Sequence, residues 1–345
     1  MPSPLSILVV RRDNIGDLLC TTPLLHGLRK KYPEAFIAVL ASSYNEEVLR
    51  DNPDVDKIFI FPKRYQKKNV GYFFSRLWKR WILIQEIRKH RFDHVVLANG
   101  GRRYAQKLRG KQSIGFRERH QPDHRQPEVV VPLENEGRDD HEVSKMARLG
   151  AVLGVAEAMG PLHLFPDKKQ LQHERKRLVA LGWNPLRPTV ALHISSRKPS
   201  QRWPKESFVA LANKIVSQKK EVQLFLFWSP GNEGNQMHPG DDAKAAWILE
   251  QLPEDVIFPC PTKNLRELIA GVSFVDQMIC SDGGAMHIAA ALQKPLLCFF
   301  GASNVKEWHP WHVPHRILQP ASRIVADLTV SEVIREFEVL QDQLR

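Results

Sequence analysis

Short apolar runs alternate with segments of helical apolar spacing along nearly the whole chain. Leu5–Val10, Ala35–Leu40, Lys57–Phe61, Asp93–Ala98 and Ser113–Phe116 read as strands in the first half. Thr189–Ile194, Val222–Phe227, Val256–Phe258, Val275–Cys280 and Pro295–Phe299 repeat the rhythm in the second. Helical spacing marks 18–31, 72–83, 140–153, 169–181, 206–218, 242–251, 264–271, 283–293 and 330–344. Strands apolar at nearly every position are covered on both faces, as in a parallel sheet flanked by helices. The pattern predicts an α/β protein of two Rossmann-like, doubly wound domains facing a central cleft, with a hinge in 159–167. The expected boundaries are 1–160, 161–325, and 326–345 for a last helix that packs on either domain.

A length of 345 residues agrees with two cores. With 43% hydrophobic residues, no apolar run long enough to span a bilayer and no signal-like start, a cytoplasmic protein is expected. Cys20, Cys260, Cys280 and Cys298 are scattered and show no metal spacing, which suits reduced, buried thiols. The net charge of +12 needs an anionic partner or a solvated basic face. Nucleic acid ranks last, because no zinc-finger, RNA-binding or helix-turn-helix signature accompanies the charge. A membrane surface or an acidic substrate remains, and much of the excess lies between Lys63 and Arg125.

Candidate chemistry falls at strand ends, where open α/β sheets bind ligands. After the first strand comes Arg11-Arg12-Asp13-Asn14-Ile15-Gly16-Asp17, in which Asp17 is either a helix cap or a base at the mouth of a crevice. After Val275–Cys280 comes Ser281-Asp282-Gly283-Gly284-Ala285-Met286-His287, a glycine turn entering a helix of small residues, suited to phosphate or diphosphate. Its bland alternative is close helix–sheet packing, with His287 a packed histidine. After Thr189–Ile194 comes Ser195-Ser196-Arg197-Lys198-Pro199-Ser200-Gln201-Arg202-Trp203-Pro204, rich in donors for a diphosphate. Glu233, in the turn after Trp228, suits a ribose or sugar hydroxyl, or simply decorates the turn.

These motifs, in this order and along 7–310, resemble glycosyltransferase family nine, the heptosyltransferases and related enzymes of lipopolysaccharide core assembly. The resemblance implies a GT-B fold and an inverting, metal-independent transfer, without a cofactor, from a nucleoside-diphosphate sugar, with ADP-heptose the leading donor. It implies that Asp17 is the general base and that Ser195, Ser196, Lys198, Gln201, Arg202, Glu233, Asp282, Gly283, Gly284, Ala285 and His287 form the donor side. Two positions depart from the family pattern. Gln201 stands where the family usually has a phosphate-contacting lysine, and Gly283 where it favours Thr or Ser.

The acceptor implied is an anionic lipopolysaccharide core or similar glycan. Its expected side comprises Asn14, Gly16, Arg76, Lys79, Arg80, Arg117, Arg119 and His120. The segment Tyr72–Leu83 mixes aromatic and basic residues at helical spacing, which suits an anionic inner-membrane surface or buries its aromatics in a core. Asp54-Val55-Asp56 mimics a metal–nucleotide signature but reads as turn and strand edge, so no metal is expected. Two other functions stay open: a catalytically silent glycan- or nucleotide-binding protein, and a nicotinamide-dependent oxidoreductase. The latter lacks a G-x-G-x-x-G after the first strand.

Overall fold

A computed structural model describes residues 4–62, 70–99, 102–117, 122–133, 140–155, 160–219, 221–234 and 239–345. The chain divides into two compact units, Met1–Phe165 and Pro166–Arg345. The first carries strands β1 (Ser6–Val10), β2 (Phe36–Ser42), β3 (Lys57–Phe61), β4 (His94–Leu97), β5 (Gln112–Phe116) and β6 (Val129–Val131). Its helices are α1 (Ile15–Leu19), α2 (Thr22–Lys31), α3 (Val70–Lys89), α4 (Arg102–Leu108) and α5 (Glu142–Ala151). The strands form one parallel sheet in the order β3-β2-β1-β4-β5-β6. Ile7 to Val10 of β1 are wholly buried, as a central strand covered on both faces must be.

The second unit opens with α6 (Lys168–Ala180) and carries β7 (Thr189–His193), β8 (Gln223–Trp228), β9 (Ile257–Pro261), β10 (Gln277–Ser281), β11 (Leu296–Phe299) and β12 (His315–Leu318). Its other helices are α7 (Lys205–Gln218), α8 (Asp242–Glu250), α9 (Leu265–Ser273), α10 (Gly284–Ala291), α11 (Val305–Trp308) and α12 (Val330–Gln343). This sheet is also parallel, in the order β12-β11-β10-β7-β8-β9. In each sheet the strand order reverses once, between β1 and β4 and between β7 and β10. Such switch points open a crevice at the carboxyl ends of the strands. The terminal helix, expected as a segment that packs on either domain, belongs to the second unit. Its Val333, Phe337 and Leu340 enter the core around Trp203 and Phe208.

Several elements differ from the sequence pattern. The helix predicted over 18–31 is two helices, broken at Cys20 and Thr21. Pro23 has no N–H for the Leu19 carbonyl, and Thr22 Oγ1 takes that carbonyl instead at 2.6 Å. Strands β6 and β12 lie at sheet edges and are not among the strands expected from the sequence. The first is only three residues long, and the second is half-buried throughout and opens with His and Arg. Helices α4 and α11 are not among the helices expected from the sequence.

Candidate active site

β1 delivers Arg11 to the carboxyl edge of the first sheet, 2% exposed. Its Nη1 donates to Ala98 O at 2.7 Å, just beyond the end of β4. Its Nη2 donates to Asp17 Oδ1 at 2.8 Å and to Glu142 Oε1 at 2.7 Å. Its Nε stands 3.0 Å from Asp13 Oδ1. Lys145 Nζ adds a second cation, 3.2 Å from Glu142 Oε2. Burial works against the Arg11 cation, but attraction by Glu142, Asp13 and Asp17 outweighs it and raises its pKa. Burial lifts the Asp13 carboxyl to about 6, against Arg11 and with the added repulsion of Asp17. Asn99 Nδ2 donates to Asp13 Oδ2 at 3.0 Å.

Asn14 stands at the N-cap of α1, and Asp17 lies within its first turn. The Asp17 carboxylate is 13% exposed and bound to the sheet through Arg11. Three carboxylates meet that one guanidinium. A carboxylate so placed can receive a proton from a hydroxyl. Gly16 is buried beside it, and the Asn14 carbonyl accepts from Asn45 Nδ2 at 3.2 Å.

In the second unit, three strand-end loops knit together around Gln201. Its Nε2 donates to Asp282 Oδ2 at 2.7 Å and to Ser303 Oγ at 3.0 Å. Ser196 Oγ donates to Gln201 Oε1 at 3.3 Å, and Ser281 Oγ donates to the Gln201 carbonyl at 2.6 Å. Ser195 Oγ accepts from the Ser229 amide at 2.9 Å, tying the loop after β7 to that after β8. Gly283 is the N-cap of α10, and its exposed position leaves open space where a Cβ would stand. Gly284 is half-buried and Ala285 buried in the first turn. His287 is buried below them, edge-on to Trp308 at 6.0 Å.

Arg202 turns back on its own loop. Its Nε donates to Ser196 O at 2.9 Å, and its Nη1 lies 3.7 Å from buried Asp241 Oδ1. Burial raises the Asp241 carboxyl, opposed by the Ser195 hydroxyl and Arg202. Lys244 Nζ donates to Ile194 O at 3.2 Å and Trp203 O at 2.8 Å. Burial lowers its pKa to about 8, with Asp241 opposing. Trp203 anchors the loop's end, donating through Nε1 to Leu328 O at 2.9 Å. Lys198 remains at the surface, its Nζ 3.5 Å from Ser303 Oγ. Glu233 lies exposed in the turn after β8.

On the expected acceptor side, Arg80 stacks over Phe61 at 4.4 Å and Lys79 is exposed. Arg12 lies over Tyr104 at 4.0 Å and over Phe61 at 4.9 Å, so Phe61 is shared by two guanidiniums. Trp78 and Trp81 of α3 are 65% and 58% exposed, with Leu77 and Ile82 beside them, so these tryptophans do not enter a core. The Arg76 backbone is helical, its side chain lying outside the described residues. Arg117 is exposed, 3.9 Å from Asp123, while Arg119 and His120 lie outside the described residues. The Asp54 and Asp56 carboxylates diverge, Asp54 to His26 at 3.1 Å and Asp56 to Arg29 at 2.6 Å. The four cysteines are buried thiols.

Sequence reasoning missed Arg11, Asp13, Glu142, Asn99, Asp241, Lys244 and Ser303. Arg11 and Asp13 lay in plain view beside Asp17. Glu142 is 131 positions from its partner and has no local signature.

Comparison with known proteins gives the fold and the family. Over 318 residues the chain is 24% identical to lipopolysaccharide heptosyltransferase 3 of Escherichia coli, covering 86% of this chain and 83% of that protein. It is 22% identical to lipopolysaccharide heptosyltransferase 1 of Campylobacter coli, covering 87% and 84%. Among solved structures, a family 9 glycosyl transferase from Veillonella parvula superposes with a TM-score of 0.80 at 18% identity, covering 99% of both chains. Escherichia coli heptosyltransferase WaaC with ADP superposes at 0.76 and 15% identity, over 97% of this chain and 100% of that one. The fold is therefore GT-B. The family model described as glycosyltransferase family 9 (heptosyltransferase) matches residues 80–326, and the chain belongs to that family.

Proposed function

We propose that this glycosyltransferase moves a heptose or related sugar from a nucleoside-diphosphate donor, ADP-heptose first among them, to a lipopolysaccharide core acceptor, with inversion. The observation that carries the reading is the Arg11–Asp17 contact of 2.8 Å at the carboxyl edge of β1. It gives a fixed carboxylate where an acceptor hydroxyl would arrive. Asp17 takes the hydroxyl proton as that oxygen bonds to the anomeric carbon. The bond from that carbon to the donor phosphate breaks, and its electron pair leaves on the nucleoside diphosphate. Amides at the head of α10 meet the charge of the departing diphosphate, so the reading needs neither a metal nor a cofactor. The names of the relatives point to the same donor and acceptor classes. Membership of a glycosyltransferase family removes the nicotinamide reading.

The α3 surface supports a place at an anionic membrane. Exposed Leu77, Trp78, Trp81 and Ile82 offer interfacial anchors beside Lys79. Among the described residues no helix is long and apolar enough to cross a membrane. The proposed location is the cytoplasmic face of the inner membrane, as a peripheral protein. The acceptor-side basic residues Arg80 and Arg117 suit the phosphates of such a glycolipid.

Calorimetry with ADP-, UDP-, GDP- and dTDP-linked sugars identifies the donor, and Asp17→Asn tests the base. The variant should bind donor like the native protein and lose transfer; undiminished transfer would refute the assignment. Sedimentation with phosphatidylglycerol vesicles should fall when Trp78 and Trp81 become serine. Equal sedimentation would remove the membrane role of α3.

A further inference from the structure

Gln201 is 3% exposed, and both of its amide N–H groups are used inside the protein, on Asp282 and Ser303. Its amide oxygen and its carbonyl accept from Ser196 and Ser281. Gly301 draws the loop after β11 against the same place, since a Cβ there would stand 2.7 Å from Ser200 O. A glutamine side chain has two donors, so none remains for a ligand phosphate. A neutral amide also leaves the charge of Asp282 unbalanced. An anion docking at the head of α10 therefore needs a cation from another residue. Arg202 Nε donates to the Ser196 carbonyl and its Nη1 lies 3.7 Å from Asp241 Oδ1, behind the loop. Lys198 is not buried, and it approaches Ser303 Oγ from the solvent side while Gln201 reaches the same oxygen from beneath.

We propose that Gln201 is a positioning residue that fixes the Asp282 carboxylate and the diphosphate turn, and that Lys198 supplies the cation for the donor's diphosphate. This division of labour rests on the donor reading above. It assigns the ligand-facing charge to an exposed loop lysine three positions before the buried glutamine.

The test uses whichever of ADP, UDP, GDP and dTDP the native protein binds most tightly, with the matching nucleoside as control. Lys198→Met should weaken the diphosphate about tenfold, the loss of one charge-assisted contact, and leave the nucleoside unchanged. It should also flatten the salt dependence of binding. Gln201→Glu sets two carboxylates at hydrogen-bond distance, which then share a proton. Between pH 5.5 and pH 8 diphosphate affinity in that variant should fall about tenfold relative to the native protein, as the shared proton is lost. Lys198→Met within about twofold of native, or a pH response in Gln201→Glu equal to native, overturns the inference and leaves the donor reading standing. A native protein that binds none of the four removes the donor reading, and this inference with it.

Discussion

Arg11 Nη2 donates to Asp17 Oδ1 at 2.8 Å from a guanidinium that is itself buried, so the proposed base is fastened to the sheet. The same nitrogen binds Glu142 at the start of α5, and Nε faces Asp13. Removing this one cation takes the guanidinium away from three carboxylates at once. Arg11→Met should therefore cost about 3–5 kcal/mol, read as a lower urea midpoint at unchanged slope. A loss below about 1 kcal/mol would mean that water already screens these charges.

Glu142→Gln separates chemistry from folding. The amide oxygen still accepts from Arg11, but one charge competing for the guanidinium is gone. The hold of Arg11 on Asp17 then rests on a changed set of partners. The transfer rate should fall, with donor affinity unchanged. A native transfer rate would show that Glu142 only packs.

The central strands β1 and β10 and their strand-end motifs were legible because the apolar runs Ile7–Val10 and Met278–Cys280 stop abruptly at polar, glycine-containing turns. The break at Pro23 was legible in principle, since a proline leaves the Leu19 carbonyl unpaired; what takes that carbonyl is a hydroxyl whose position only the fold sets. The site's electrostatics were not legible. Arg11 meets Glu142, and Gln201 meets Ser303, across 131 and 102 positions, and no local pattern encodes either meeting. The spacing of Trp78 and Trp81 marked a helix, but core and membrane readings differ only in which way that face points.

Asp13 gives a pH dependence of defined sign. Burial holds its carboxyl at about 6, above the ordinary value near ~3.9. An acid with a raised folded pKa binds its proton more tightly in the folded state. Its contribution is thus complete below pH ~4 and is lost as pH rises through about 6. Urea midpoints between pH 4 and 7 should show the native protein losing stability relative to Asp13→Asn across that window. Parallel curves would place the Asp13 titration elsewhere.

Trp203 couples the stability of the second unit to its donor loop. The ring packs edge-on against Phe208 at 5.0 Å and tilted against Phe299 at 5.1 Å, and Nε1 donates to Leu328 O. Trp203→Phe keeps most of the packing and strands one buried carbonyl, which should cost about 1–3 kcal/mol. Trp203→Ala opens a cavity as well and should cost about 3–5 kcal/mol. Gln201 lies two positions before the ring, so a loosened anchor also frees the amide that holds Asp282. Nucleotide affinity should then fall in the order native, Phe, Ala, following the thermal midpoints. If the alanine variant melts early yet binds nucleotide like the native protein, the loop is fixed by Lys244 and Arg202 without the ring.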